Sequence, residues 1–403
     1  MESILEKIKT DYALYPKEVL ASIETNKKSL YIGIPKETDF QEKRIPLTPN
    51  SVAALINYGC RISIEKDAGI HSHFSNEDYI NSGADIVYAK EDVYKAELII
   101  KSAPINAKEI SLLQRNQILF SPILLPAQTK TMFKSMMEKR ITALAFEYVR
   151  GDYNTFPFMR SMSEIAGNYA ILTASKYLSN EFGSGVLLGG ISGQPPAKVL
   201  ILGAGTVGEA AAKAALALGA SVQIFDDNIY RLSRLQNSLG NKIYTSVIDP
   251  INLAKNISRA HVVIGALKPQ KGKTPKVITE DMVRSMKKNA VFMDISIDHG
   301  GCSETSKVTN HDEPTYKVHD VIHYCVPNIA SNVSKTASYA LSNILTPILK
   351  RAVDAGGIES LFKYDENLRQ GAYLYKGAIT KDFIAQKFNL KHTDLELLLS
   401  ADF

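Results

Sequence analysis

The sequence predicts an α/β protein with two doubly wound domains, which long helices join across a cleft. Short apolar runs of strand length alternate with helical stretches in two separate series, one beginning at residue 30 and the other at 198. Such alternation indicates βαβ units and parallel sheets. Two longer stretches with few helix breakers, 164–177 and 333–353, lie on either side of the second series. They predict helices that lead into the second domain and return the chain to the first.

Length and composition agree with this division. The chain has 403 residues, which is too long for a single hydrophobic core. Of these residues, 45% are hydrophobic and 22% are charged, a composition that is ordinary for globular proteins. We place an N-terminal helical extension at 1–29, a first domain at 30–157 and 335–403, and a second domain at 158–334. The extension has its apolar residues on one helical stripe and acidic residues among its lysines, unlike a signal or transit peptide.

Charge and cysteine usage exclude several classes of partner. The net charge of +5 is spread thinly, without the dense basic block that nucleic acid favours, and no run reaches the roughly 18 apolar residues of a membrane helix. Cys60, Cys302 and Cys325 are a sparse, odd set, typical of a reducing compartment, so we expect a cytoplasmic protein. His71 and His73 form a lone H-x-H pair, from which no metal site is expected.

The first domain begins with a strand at 30–34, which is followed by a helix at 49–58 that Gly59 ends. Its remaining strands and helices alternate at short spacing. The strands are predicted at 61–65, 97–100, 118–120 and 142–146, and the helices at 76–82, 108–114 and 129–138.

The second domain follows the helix at 164–177 and a glycine-rich loop at 182–196. Its strands are predicted at 199–202, 222–225, 261–264 and 291–295. A motif lies directly after the first of these strands and opens a helix of small residues at 209–218: Gly203-Ala204-Gly205-Thr206-Val207-Gly208. In this setting the motif predicts a Rossmann-like dinucleotide site.

Each part of the motif has a physical role in that site. Gly203 permits a tight turn, Gly205 lets the backbone approach the pyrophosphate, and Gly208 lets helix and strand pack closely. Thr206 and Val207 begin the helix, whose free N–H groups and dipole attract phosphates.

An acidic residue completes the pattern. Asp226 ends the second strand, eighteen residues after Gly208, close to the about 20 that the pattern requires. Its carboxylate can bind the ribose hydroxyls and would repel a 2′-phosphate, so NAD is expected rather than NADP. A glycine-rich turn without a ligand is the alternative, and the strand, helix and acid in their required places disfavour it.

Five further segments together resemble the alanine dehydrogenase family, which also contains the NAD-binding subunit of proton-translocating transhydrogenase. They lie within 31–390, at 33–38, 43–49, 162–167, 294–302 and 324–328. The resemblance implies reversible, NAD-dependent conversion of L-alanine to pyruvate and ammonia in the cleft between the domains. It also implies a homo-oligomer, commonly a hexamer.

The resemblance assigns roles to five residues. Arg44 would bind the substrate carboxylate, for which its planar guanidinium is suited, and Lys101 would contact the carboxylate and polarise the carbonyl oxygen. Asp298 would lie beside the reacting carbon and the nicotinamide, so Asp298 and Lys101 are the predicted catalytic residues. Ser163 and Asn328 would line the cofactor side, with Asn328 also near the substrate.

Each role has a simpler alternative. Arg44 could form a surface ion pair, Lys101 could be an exposed strand end, Asp298 a turn residue and Asn328 a helix cap. Arg160, just before the segment at 162–167, could be a further charge near the cleft or a surface residue.

The chain departs from the family at two points. Leu124 stands where alanine dehydrogenases carry a histidine that handles a proton, and the surrounding stretch 124–128 resembles the transhydrogenase branch. The segment at Lys101 is one residue shorter than the family's K-V-K-E-P and has one lysine. His299 or Lys101 with a water could transfer the proton instead, or the substrate could be another amino or imino acid. A transhydrogenase-like hydride-transfer module and an NAD-binding sensor are the alternative functions.

Overall fold

A computed structural model of the chain describes residues 29–39, 41–240, 243–268 and 273–401. The helical extension predicted at 1–29 lies outside these residues except for Ser29. Fifteen strands are numbered in chain order: β1 Tyr31–Ile34, β2 Arg61–Glu65, β3 Asp85–Val87, β4 Leu98–Ile100, β5 Ile118–Ser121, β6 Thr142–Ala145, β7 Lys198–Leu202, β8 Ser221–Phe225, β9 Tyr244–Ser246, β10 Val262–Gly265, β11 Val291–Asp294, β12 Thr315–Val318, β13 Val321–Tyr324, β14 Ala372–Tyr375 and β15 Ala378–Ile379.

The described helices are likewise numbered in chain order: α1 Pro49–Ile56, α2 Asn76–Asn81, α3 Lys90–Val93, α4 Ala107–Leu112, α5 Lys130–Glu138, α6 Pro157–Leu178, α7 Thr206–Ala217, α8 Ile229–Leu239, α9 Pro250–Ile257, α10 Glu280–Arg284, α11 Ser334–Asp354, α12 Ile358–Leu361, α13 Glu366–Arg369, α14 Asp382–Phe388 and α15 Leu395–Ala401. Among the described residues, no helix has the length and apolar character needed to cross a membrane.

The strands form two sheets with the same core topology. The first has the order β15-β14-β6-β5-β4-β1-β2-β3 and the second β12-β13-β11-β10-β7-β8-β9. Pairing from β3 through to β6, and from β9 through to β13, is parallel. Both sheets are doubly wound, as predicted. The strand order reverses between β1 and β4 in one sheet and between β7 and β10 in the other, and such reversal points bind ligands at the carboxyl ends of the strands.

Each sheet is buried on both faces, which explains its apolar strands. Two clusters of buried side chains cover the faces of the first sheet and two cover those of the second. Every residue of β5, β6, β10 and β11 is buried. Strands buried on both faces need near-continuous apolar sequence, and this is the signal from which the sequence predicted them.

Two long helices link the sheets. Helix α6 begins at Pro157, earlier than the predicted 164, because proline suits the first turn, where no N–H partner is needed. It packs closely on α7, since a Cβ on Gly167 would collide with the Val207 carbonyl oxygen. After α11 the chain returns to the first sheet, where β14 pairs with β6. The exact domain limits at 157 and 334 stay predictions.

Candidate functional site

The carboxyl ends of the two sheets meet around a cavity of about 190 Å³. Loops after β1 in the first sheet and after β10 and β11 in the second contribute to its lining, together with α6. Its polar lining includes Arg44, Ser163, Lys268, Asp298, His299 and Asn328. The structure therefore brings four of the predicted site residues, Arg44, Ser163, Asp298 and Asn328, into one place.

A second cavity of about 570 Å³ continues from the first along the glycine motif. The two share Ser163, Val207 and Lys268 in their linings, so they form one cleft. The outer part is lined by Gly205, Thr206 and several cationic side chains. A cleft of this shape, wide at the motif and narrow between the sheets, suits an extended ligand with an anionic middle.

In the glycine motif, backbone segments pack directly against each other without intervening side chains. Gly203 has φ +109°, a conformation that favours glycine, and a Cβ there would collide with the Ala266 carbonyl oxygen. A Cβ on Gly208 would collide with the Gly203 carbonyl oxygen, whereas one on Gly205 would meet nothing within 4 Å. Gly205 thus leaves free space at the cleft, where a side chain would exclude a ligand.

Helix α7 begins at Thr206 without a capping side chain. The first N–H groups of a helix have no partner within it, so those of Thr206 and Val207 are available to an anion. Together with the helix dipole, they make this end of α7 suitable for phosphate.

Asp226 braces the glycine motif from behind. Its Oδ2 accepts a 2.7 Å hydrogen bond from the Ala204 N–H and its Oδ1 one of 2.8 Å from the Asn228 N–H. Arg231 NH1 lies 3.9 Å from Oδ2. Carboxylate oxygens can accept further hydrogen bonds, so the ribose role of Asp226 stays a prediction.

Arg44 is held in a buried ion pair. Its Nε donates to Glu42 Oε1 at 2.7 Å and its NH2 to Oε2 at 2.5 Å, while NH1 contacts the Met162 sulfur at 3.2 Å. Its side chain is 11% exposed, so the alternative of a surface ion pair is wrong. Burial by itself would lower the pKa of the guanidinium, but Glu42 outweighs it and raises that pKa.

Asp298 lies in the helical turn that follows β11. Its side chain opens into the cleft, and the surrounding protein still removes the carboxylate from bulk water, which raises its pKa. The Asn328 N–H, His299 and Arg44 act in the opposite direction. Asp298 is thus a turn residue, as one alternative held, and also a cleft residue.

Asn328 connects the two sides of the cleft. Its N–H donates to Asp298 Oδ1 at 3.0 Å, and its side-chain amide donates to Glu42 Oε2 at 3.1 Å and to the Gln41 carbonyl at 3.3 Å. Asn328 stands at the N-cap position of the helical turn Ile329–Val333, but its side chain makes no capping hydrogen bond, so the alternative of a helix cap holds for its position only. Arg44, Glu42, Asn328 and Asp298 form one connected polar chain.

Lys101 lies behind the cavity and is absent from its lining. The residue is 1% exposed, so the alternative of an exposed strand end is wrong. Its ammonium lies 2.5 Å from Glu37 Oε2 and 3.1 Å from Glu109 Oε1. Burial would lower the pKa of Lys101, but the two carboxylates outweigh it and raise that pKa. Contact of Lys101 with a substrate stays a prediction.

The two remaining residues of interest lie apart from the inner cavity. Leu124 is 44% exposed, is not part of the cavity lining, and its N–H donates to Glu147 at 2.9 Å. Arg160 has a 53% exposed side chain that pairs with Glu164, and it lines the outer cavity.

Sequence reasoning missed the carboxylates that hold the cations. Glu42 could have been found from the sequence, since it stands two residues before Arg44, the residue predicted to bind the substrate carboxylate, and in the same loop. Glu37 and Glu109 approach Lys101 across 64 and 8 residues, and nothing local in the sequence marks that contact. The described residues contain no group of three or more His, Cys, Asp or Glu side chains arranged for a metal ion.

Comparisons with known proteins agree along the chain. Residues 33–166 match the family model "Alanine dehydrogenase/PNT, N-terminal domain" and residues 170–382 match "Alanine dehydrogenase/PNT, C-terminal domain". Alanine dehydrogenase of Staphylococcus haemolyticus is 37% identical over 373 residues, covering 92% of this chain and 100% of the relative. Alanine dehydrogenase of Methanococcus maripaludis is 37% identical over 374 residues, with the same coverage.

Solved structures show the same fold. An L-alanine dehydrogenase superimposes with a TM-score of 0.83 and 35% identity, covering 89% of this chain and 99% of that protein. A transhydrogenase from Sinorhizobium meliloti superimposes with a TM-score of 0.73 and 24% identity, covering 87% and 99%.

Proposed function

The chain belongs to the alanine dehydrogenase/PNT family, and we propose that it catalyses the reversible, NAD-dependent oxidative deamination of L-alanine to pyruvate and ammonia. One observation carries this proposal. A buried guanidinium and a carboxylate share a small cavity at the meeting point of two doubly wound sheets, next to a glycine motif. A short amino acid and a dinucleotide need these features in this arrangement.

Arg44 is suited to bind the carboxylate of the amino acid. Glu42 occupies Nε and one side of NH2, which fixes the plane of the guanidinium and leaves its NH1 end on the cavity. A cation held in one orientation loses little entropy when it binds an anion. The neighbouring lining is apolar, including Met159, Met162 and Ala166, and suits the methyl group of alanine.

Asp298, which lines the same cavity from the second sheet, would receive the amino group. Its carboxylate would stabilise positive charge on the nitrogen as the α-carbon is oxidised. A bound nicotinamide dinucleotide would supply the hydride acceptor. The Thr206 and Val207 N–H groups at the start of α7 would hold the phosphates of the dinucleotide. The open space at Gly205 would let its pyrophosphate approach the protein backbone.

NAD, rather than NADP, is the proposed cofactor. Asp226 places a carboxylate at the end of β8, where the 2′-phosphate of NADP would come near it. Repulsion between these two anions would favour NAD.

We also propose that the protein is a cytoplasmic homo-oligomer, a hexamer as the family resemblance implies. Cys60, Cys302 and Cys325 are buried and unpaired, which suits a reducing compartment. Light scattering of the purified protein measures the oligomer.

A dehydrogenase of the same type for another amino or imino acid is the second candidate. Leu124 favours it, because leucine cannot handle a proton where alanine dehydrogenases carry a histidine. A transhydrogenase-like hydride-transfer module is a further alternative.

A substrate screen tests these functions. The protein is supplied with NAD and a panel of small L-amino acids, and NADH is followed by its absorbance. We expect the highest kcat/KM for L-alanine. A higher value for another amino acid favours the second candidate, and hydride exchange between dinucleotides without any amino acid favours the transhydrogenase-like module. Binding of NAD without turnover would indicate a sensor.

A further inference from the structure

Deamination needs a group in the cleft that takes up and releases protons. Each turnover converts alanine, NAD and water to pyruvate, ammonium, NADH and one proton. Among the residues that the structure describes, four with ionisable side chains line the inner cavity: Arg44, Lys268, Asp298 and His299. Imidazole is the side chain among these types that ordinarily titrates between about pH 5 and 8.

The other candidates have different tasks or positions. Arginine does not release its proton in proteins, and Arg44 is already bound to Glu42. The Lys101 ammonium is buried between two carboxylates behind the cavity. Leu124 has no ionisable group and is not part of the lining. Asp298 would be engaged with the substrate nitrogen as an anion.

We propose that His299 is the acid–base residue of this site, an inference that rests on the proposed deamination. In the oxidative direction, the substrate ammonium loses one proton to solvent through His299, and the α-carbon transfers its hydride to NAD, which leaves a protonated imine. Water then bonds to that carbon, and His299 takes a water proton and returns it to the nitrogen. When the carbon–nitrogen bond breaks, the remaining hydroxyl proton passes through His299 to ammonia.

The turn that carries His299 is held firmly. Asp294, at the end of β11, accepts hydrogen bonds from the Ser296 N–H at 3.0 Å, the Cys302 N–H at 2.9 Å and the Ser306 hydroxyl at 2.5 Å. The His299 carbonyl accepts from the Thr274 N–H at 3.0 Å. A catalytic side chain needs such a fixed backbone to keep its geometry.

Charged groups surround His299 from three elements. Asp298 lies in the same turn, and its charge interacts with His299. The first sheet contributes Arg44, and the loop after β10 contributes Lys268 to the same lining. From the segment that follows, Lys276 donates to the Gly300 carbonyl at 2.7 Å, and Lys273 approaches the same glycine. The turn that carries His299 therefore lies among several cations and one carboxylate.

The substitution His299→Gln keeps a polar side chain of similar length but cannot transfer a proton. We expect kcat for L-alanine oxidation at neutral pH to fall about 10²–10⁴-fold, the usual effect of losing such a group, with NADH binding retained. The wild-type kcat should rise with pH between about 5 and 8, the range in which imidazole side chains ordinarily lose their proton, because the oxidative direction needs neutral imidazole. That rise should vanish in the variant, and added imidazole should restore part of the rate.

His392→Gln is the matched control, since His392 is exposed and far along the chain in the C-terminal segment. It should leave both rate and pH profile unchanged. If wild-type protein oxidises alanine but His299→Gln keeps the full rate and profile, the inference is wrong and the proposed function stands. A wild-type profile that is flat over about pH 5–8 contradicts the inference without any variant. If wild-type protein oxidises no amino acid, the proposed function itself fails.

Discussion

The reversal points of the two sheets face each other but offer different groups to a ligand. After β1 and β4 the first sheet presents charged side chains, and each cation is held by a carboxylate: Arg44 by Glu42, and Lys101 by Glu37 and Glu109. After β7 the second sheet presents glycines and backbone N–H groups. The same strand order thus presents charged side chains on one side of the cleft and exposed backbone on the other.

Among the four variants that test this comparison, the largest effect is expected at Asp298, which the second sheet adds to the shared cavity. Asp298→Ala should lower kcat for L-alanine by about 10²–10³-fold, because positive charge on the nitrogen loses its stabilising carboxylate. Affinity for NAD should stay within a few-fold, which fluorescence titration with NADH can measure. Near wild-type turnover would remove Asp298 from the chemistry.

Lys101→Met tests the charged groups of the first sheet. It leaves Glu37 buried without its cation and Glu109 paired with Lys90, and an uncompensated buried charge should lower the free energy of unfolding by about 3–5 kcal/mol. Lys95→Met is the control, because Lys95 forms an exposed pair with Asp92 and such pairs contribute little to stability. Denaturant unfolding measures both, and equal losses would contradict the account of the buried cluster.

Gly205→Ala tests the backbone side. A Cβ there meets nothing within 4 Å in the structure, so the midpoint of thermal unfolding without ligand should change little. It would occupy space reserved for the dinucleotide, so the KM for NAD should rise clearly. Unchanged NAD kinetics would place the dinucleotide elsewhere.

Asp226→Ala should have the smallest effect of the four. It should raise the KM for NAD, because the ribose loses an acceptor and the glycine motif loses the brace on the Ala204 N–H. Asp226→Asn, which retains one acceptor oxygen, should have an intermediate KM. A KM equal to the wild-type value in both variants would exclude the ribose role.

The interior parallel strands, apart from β13, were predictable because burial on both faces dictates apolar runs. The three-residue edge strands β3 and β9 were not, since they are only partly buried. The β14–β15 hairpin carried a missed signal in Lys376-Gly377, both with positive φ, as its tight turn requires. The β12–β13 hairpin turns at His319-Asp320, also with positive φ, and a turn without glycine gives little local signal.

The sequence predicted the side of the site at the second sheet more fully than the side at the first sheet. The glycine motif is local in sequence, and its strand, turn and helix were expected before the structure. Arg44 and Asp298 were expected from the resemblance, and the structure places them together. The burial of Lys101 depends on Glu37, which reaches it from the end of another strand, and contacts between strands cannot be found from residue spacing.

Asn328 forms hydrogen bonds to residues on both sides of the cleft described above. Its three hydrogen bonds tie Asp298 on one half to Glu42 and Gln41 on the other, and Glu42 in turn aligns Arg44. Widening the gap by even a small hinge rotation strains all of these bonds at once. Asn328 therefore couples the position of Asp298, through its backbone N–H, to that of Glu42 and hence of Arg44, through its side-chain amide.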